Sequence, residues 1–514
     1  MNNLSRRSLL KTGVAASVLA ATGLPAIAAP KRGGTLRLGI SGANTSDNWD
    51  SRTHSDHYMI MAAHGAVFDC LTENAADGEL VGELAESWEA SPDAKIWTFN
   101  LRKGVTFHNG KSFGADDVIA SLNMHVGEES KSAAKPIVAA IAEMKKLGEH
   151  QVQFVLNAGS ADFPVSMSDY HLCMYPAGQI EEAIAKGIGT GLYKVESHDA
   201  GVRTVLSRVD SHYKDGKSGW FDSVEMIAIN DSSARMNALM TGQVDAVNRV
   251  DFKTEPLMKA NPNIRIVEET GNQHYTMPML VGVEPLGDLN VRKALKHAID
   301  RQEMVDKILQ GHGRVANDIP IGPANKYFAD DLPLNDYDPD KARHYLKKAG
   351  LDSLDIDLSA SDAAFNGAID AAQLYQASAK SSGINIKVVQ EPADGYWSNV
   401  WLKKPWCMSF WSGRPTEDWM FSLAYETGAP WNESGWENAR FQELLVTARA
   451  ELDEAKRGAM YHEMQALMSS EGGTVIPMYA NWVFAVSNKL ENGGKVGNIF
   501  SMDSDRMIER WWFS

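Results

Sequence analysis

The chain has 514 residues, 44% of them hydrophobic and 23% charged, with a formal net charge of −16. That is too apolar for a disordered chain and long enough for more than one hydrophobic core. The acidic surplus disfavours nucleic acid and anionic lipid as partners.

In chain order, the first signal is an address. Ser5-Arg6-Arg7-Ser8-Leu9-Leu10-Lys11 is followed by a small, apolar stretch over 12–24, then Pro25 and Ala26-Ile27-Ala28. A positive flank, an apolar run too short to span a bilayer and an A-x-A exit predict a signal peptide over 1–28, with a twin-arginine pattern. Beyond it, strand and helix signals alternate. Residues 35–40 read as a strand, 52–71 as a helix, and 95–101 as a strand from their period-two alternation. Residues 115–125 read as a helix, 151–156, 204–207 and 223–229 as strands, and 232–240 as a helix. Residues 291–309 read as one helix closed by Gly311, and 339–348 as another closed by Gly350. Then come a strand over 384–388, helices over 439–452 and 454–470, and a strand over 474–476. This alternation predicts a mixed α/β protein with several sheets. Cys70, Cys173 and Cys407 are too few and too widely spaced for a disulfide framework, so three buried or half-buried thiols are expected.

Catalytic motifs are thin. Gly110-Lys111-Ser112 lacks the upstream glycine of a phosphate loop at the required distance, and no GxSxG or HExxH pattern occurs. His54, His57 and His64 fall near one helical face, where two could ligate a metal; a solvated or packed face is the expectation. No cofactor, metal site or catalytic residue is expected.

One long block carries more. Leu84-Ala85-Glu86-Ser87-Trp88-Glu89 leads to Trp97-Thr98-Phe99-Asn100-Leu101-Arg102-Lys103-Gly104-Val105-Thr106-Phe107-His108-Asn109-Gly110, then Ala115-Asp116-Asp117-Val118. This block resembles the signature of the family 5 extracellular solute-binding proteins, the dipeptide-, oligopeptide- and nickel-binding group of ABC importers. Further segments follow the family's order: Gly189-Thr190-Gly191-Leu192-Tyr193, Ala238-Leu239 through Asp245, Asn290-Val291-Arg292-Lys293-Ala294-Leu295 and Ile476-Pro477-Met478-Tyr479. Trp88, Trp97 and Phe107 are expected in the core, and Arg102 and Asp117 at or near the surface.

The resemblance implies a large, class II periplasmic binding protein fold, two α/β lobes with a ligand cleft between them. Lobe I would take 29–278 plus 484–514, with an inserted subdomain at about 58–185, and lobe II 279–483. It implies a monomeric, periplasmic, non-enzymatic receptor for a peptide or peptide-like solute, delivering to permease subunits in the inner membrane. Opine or sugar–amino acid conjugates, oligosaccharides and, further off, nickel or a periplasmic enzyme activity stay open.

For the site, the tryptophans crowd late: eight of the fourteen fall between 397 and 482. In the peptide-binding members a tryptophan of the segment matching Trp411-Ser412-Gly413-Arg414 lines the cleft, and an aspartate three residues on pairs with the ligand's amine. Here that position is Arg414, an inverted charge suited to a carboxylate or phosphate. The competing expectation is that Arg414 pairs internally with Glu417 or Asp418; a small shift of register would let Asp418 or Glu417 receive a ligand amine, which keeps peptides open. Trp419, Tyr396 and Trp397 on the second lobe, Asn44 and Thr45 on a first-lobe loop, and His274 and Tyr275 near the crossing between lobes complete the candidate ligand-binding set.

Overall fold

The computed structural model describes residues 30–127, 130, 132–392 and 396–514. The segment read as a signal peptide lies outside these. Among the described residues no helix is long and apolar enough to cross a membrane.

A nine-stranded sheet organises the chain. In spatial order its strands are Ser409–Trp411, Ile264–Pro278, Thr474–Ser487, Ala246–Val247, Thr35–Ile40, Ser223–Ala228, Arg203–Arg208 and Tyr193–Asp199, with Gly313–Val315 pairing off this path against Thr474–Ser487. Thr35–Ile40 runs parallel to both of its neighbours; the other pairs are antiparallel. One large apolar core gathers side chains from Leu36 to Ala246 and again from Phe484 to Trp511. Two others lie wholly within the stretch from Met277 to Ala480.

Two long strands join these cores. Ile264–Pro278 and Thr474–Ser487 pair antiparallel from Ile264 opposite Ser487 at one end to Pro278 opposite Thr474 at the other. Phe484 and Val486 are buried in the first core, and Met277, Val475 and Met478 in the second. Between them the register is interrupted between Glu269 and Gln273. There Gly271 lies against the Trp482 indole, where a Cβ would come within 2.5 Å of Nε1.

A separate four-stranded antiparallel sheet over residues 85–156 packs onto the first core. Its central strand Ile96–Leu101 shows the alternation read from the sequence: Trp97, Phe99 and Leu101 point inward. Phe99 meets Phe154 edge-on at 5.4 Å. Asp117, expected near the surface, is instead buried. It caps its helix through Gly114 N–H at 2.9 Å, pairs with Lys111 and accepts Ala177 N–H at 2.7 Å. The three cysteines are free and buried, as expected.

Two expected helices are broken. The 52–71 segment forms a short turn, then helix His57–Ala62 capped by the Asp56 carboxylate, then a wider turn over Ala63–Val67. The 291–309 segment forms Leu289–His297 and Arg301–Lys307, because the Asp300 carboxylate accepts Glu303 N–H and starts a new helix. The 474–476 strand is far longer than read, at 14 residues.

The chain end is tied to the first core by buried charge. Arg506 donates to Glu83 at 2.6 Å and to Glu509 at 3.0 Å; Arg510 reaches Glu73 at 2.8 Å; Lys214 lies 2.7 Å from Glu83 and 3.1 Å from both Glu73 and Glu509. The three carboxylates lie within 4.8 Å of one another. These side-chain cations already neutralise them, so the cluster has no need of a metal ion. Burial opposes the charge on Lys214, yet Glu509, Glu73 and Glu83 hold its ammonium well above the ordinary range. Removing one cation would strand buried carboxylates. Arg506→Met is therefore expected to cost ~3–5 kcal/mol of stability, read as a lowered urea midpoint. A loss below ~1 kcal/mol, the scale of an exposed pair, would show that the network does not carry the chain end.

Candidate functional site

The edge strand Ser409–Trp411 pairs with Ile264–Pro278, setting Trp411 opposite His274 and Ser409 opposite Thr276. The chain then turns through Ser412-Gly413-Arg414-Pro415 into helix Glu417–Ala424, capped by the Thr416 hydroxyl. Gly413 has φ +82°, and a Cβ there would fall 2.3 Å from the Asn272 side chain. This position therefore excludes other residues on both backbone and steric grounds. The Arg414 carbonyl accepts from two side-chain amides, Asn272 at 3.0 Å and Asn325 at 2.9 Å. The backbone of the turn is thus held rigidly while its side chain is left to reach outward.

Arg414 reaches the wall of a cavity of about 930 Å³ that opens between the cores. That is near the top of the range of ~300–1,000 Å³ for small-molecule sites. Its guanidinium donates to the neighbouring Gly413 carbonyl at 2.6 Å and lies over the Trp411 and Trp419 rings at 5.5 and 5.9 Å. The expected internal partners are engaged elsewhere. Glu417 accepts Tyr327 N–H at 2.7 Å, and Asp418 is held by Arg449 at 3.0 Å and by Ser422 at 3.2 Å. Burial pulls the Arg414 guanidinium below its usual value, with Tyr170 and Asp169 opposing.

Ser412, Arg414, Trp419 and Trp431 form one wall, and Trp411 packs directly behind Trp431 with ring centroids 5.9 Å apart. The opposite wall comes from distant segments: His57, Tyr170, Trp482 and Phe500. Asp505 binds His57 at 2.8 Å, Asp169 binds His171 at 2.7 Å and Asp56 accepts Tyr58 N–H at 3.0 Å as a helix cap, so the three carboxylates of the lining are already engaged. The cavity is therefore mainly aromatic and apolar, and among the described residues its lining includes two guanidinium groups without a carboxylate partner, Arg414 beside the tryptophans and Arg249.

The other sequence candidates fall outside this lining. Asn44 and Thr45 form a tight turn in which the Asn44 side chain accepts from Ser46, a local bond in place of an inward-facing donor. Tyr396 is buried with its hydroxyl on the Met408 carbonyl at 2.8 Å. Trp397 is partly exposed and packs against Trp401 and Phe410. His274 is buried and uses Nδ1 on the Asn272 carbonyl; burial lowers its pKa to about 4. Tyr275 stacks on Phe365 at 4.0 Å. His54, His57 and His64 bind Asn48, Asp505 and Arg506 in turn, three separate partners rather than one shared point.

Away from the crossing strands, the two sides also touch directly. Arg457 of helix Glu454–Glu471 pairs with Asp162 at 2.8 Å, and Ala161 N–H donates to the Arg449 carbonyl at 2.7 Å.

A ligand-sized cavity between separate cores, with two strands running through both, is the architecture of a solute-binding protein of the two-lobed α/β kind. The chain belongs to the bacterial extracellular solute-binding proteins, family 5, whose middle-region model matches residues 79–433. It is 27% identical over 445 residues to the dipeptide-binding protein of Escherichia coli K12, covering 77% of this chain and 80% of that one. In fold it resembles the ABC transporter substrate binding protein CtaP of Listeria monocytogenes, with TM-score 0.80, 20% identity, and 94% and 100% of the two chains covered. It also resembles the binding protein AgaA of A. tumefaciens R10, solved with agropinic acid, with TM-score 0.75, 22% identity, and 94% and 99% covered. The family serves ABC importers as non-enzymatic solute-binding components, and this chain is one of them.

Two outcomes test this geometry. Gly413→Ala is expected to cost ~1–3 kcal/mol, from overpacking together with the left-handed backbone, read from thermal unfolding. Burial raises the Glu417 carboxyl from 4.5 to about 7. The folded chain therefore binds a proton there that the unfolded chain has released, and this group's contribution to stability falls as pH rises between those values. Glu417→Gln removes that loss, so its melting temperature relative to wild type should climb from pH 5 to pH 8; a constant difference would contradict the assignment.

Proposed function

We propose that the cavity captures an anionic, peptide-like solute, with Arg414 binding its carboxylate or phosphate and Trp419 and Trp431 flanking its apolar part. The observation that carries this is the Arg414 guanidinium, held at the wall of an aromatic cavity while Glu417 and Asp418 serve other partners. A guanidinium with no carboxylate partner in a partly dehydrated site gains most from a bidentate anion. The match to an agropinic acid binding protein supports an acidic opine-like conjugate, and the match to a dipeptide-binding protein supports peptides. The engagement of Asp418 by Arg449 weighs against free-amine recognition at that residue, and so favours the conjugate over a simple peptide.

In this reading residues 1–28 direct twin-arginine export and are removed, and the mature monomer works in the periplasm beside its permease. Lobe I comprises 29–278 and 484–514, with the inserted subdomain at about 58–185, and lobe II 279–483. The interrupted register at Glu269–Gln273 serves as the hinge, and closure of the lobes presents the loaded form to the permease.

Thermal denaturation against a panel tests this: di- and tripeptides, N-blocked peptides, acidic sugar–amino acid conjugates, neutral oligosaccharides and Ni²⁺. A compound binding only the folded state at a hundred times its Kd adds ~2.7 kcal/mol. Acidic conjugates are expected to raise the melting temperature of wild type and not of Arg414→Glu. Stabilisation by free-amine peptides alone, undiminished in Arg414→Glu, would overturn the anion site.

A further inference from the structure

Behind the cavity's tryptophan wall lies a buried carboxylate whose burial is countered chiefly by neutral groups. Glu433 is 1% exposed. Trp401 Nε1 donates to its Oε2 at 3.1 Å. The Trp411 indole N–H and the hydroxyls of Thr276 and Ser409 also face the carboxyl, and among the described residues these three groups have no other hydrogen-bond partner. The strand register that sets Thr276 opposite Ser409 brings both hydroxyls beneath it. The two indoles are not isolated. Trp401, Trp411 and Trp431 form a triangle with ring centroids 6.3, 6.0 and 5.9 Å apart. Trp431, 45% exposed, is the member that lines the cavity.

We propose that Glu433 is the positioning residue of the cavity's aromatic wall: its ionised carboxylate draws in the indole N–H groups of Trp401 and Trp411 and so sets the surface on which Trp431 rests. The consequence for solute capture rests on the proposed function of the cavity; the wall itself can be tested with no solute present. Hydrogen bonds to an ionised acceptor are about twice as strong as neutral ones. Protonation therefore slackens both indoles together.

Burial pushes the Glu433 carboxyl up to about 7, with the Trp401, Trp411, Thr276 and Ser409 donors opposing, so the change falls in the neutral range. The titratable groups facing it are silent there. Burial raises the Cys407 thiol and the Tyr425 phenol and keeps His274, two residues before Thr276, neutral. Glu417 and Asp418 on the following helix, raised by burial to about 7 and about 6, do titrate nearby. A pH profile of the wild type alone would mix these groups, so a variant must separate them.

The experiment is an indole ¹⁵N–¹H titration of the solute-free protein from pH 5.5 to 8.5, with the Trp401 and Trp411 cross-peaks assigned by W401F and W411F. Both peaks are expected to move in one shared step with a midpoint near 7 in wild type and in E417Q, and to lose that step in E433Q. Absence of a shared step in wild type overturns the proposal even if E433Q fails to fold. A step that survives in E433Q, or vanishes in E417Q, also overturns it. A shared step lost in E433Q, in a protein that no acidic conjugate stabilises, would uphold the positioning role and refute the anion-binding reading separately.

Discussion

The pairing of Ile264–Pro278 with Thr474–Ser487 is the constraint from which the rest of the architecture follows. Each strand must satisfy two hydrophobic cores along its length, so neither can alternate simply between an inner and an outer face. Thr474–Ser487 is buried almost throughout. Strands covered on both faces lose the period-two pattern. The ladder is interrupted between Tyr275 and Met277 inside the second core, and over a longer stretch between the cores, where Gly271 admits the Trp482 indole. The edge strand carrying Trp411 is aligned by the same pair, so the position of Arg414 relative to the opposite wall is inherited from it.

Charge is placed to secure what this pair leaves loose. The chain end after Ser487 has little regular structure, and its Arg506, Glu509 and Arg510 are fastened by Glu73 and Glu83, in and just beyond one strand pair, and by Lys214. That fastening fixes Asp505, which in turn fixes His57 at the cavity wall. Within the second lobe-like half, buried cations serve backbone instead. Lys296 donates to the Met468 and Ser469 carbonyls and Arg292 to that of Glu471, at the negative end of helix Glu454–Glu471. Burial lowers the Lys296 ammonium to about 8, so the site tolerates this charge at some cost.

Much of this was legible in the sequence. The alternation over 96–101 read correctly because that strand has one covered face. The family block and its order identified the fold before any contact was visible. Arg414 stood out because its charge opposes what the peptide-binding pattern would place there, and the structure brings it, Ser412 and Trp419 to one cavity wall. Other features depend on partners remote in the chain. The apolar period runs unbroken through 291–309, and only the cap made by Asp300 divides it. Nothing local distinguishes Trp431 from Trp397, although one lines the cavity and the other packs outside it. His57, Tyr170 and Phe500 meet only because the chain returns three times to the same place. Glu433 carried no signal at all, since its role rests on indoles and hydroxyls supplied by three other segments.

The contact between Asp162 and Arg457 has a consequence for traffic. Like the crossing strands, it joins segments that pack in different cores, so the two sides are held together at a second place. Any separation of the two sides there must break this largely buried pair and leave its charges uncompensated. On the proposed reading of the cavity, the pair resists opening independently of how well the cavity walls fit the solute.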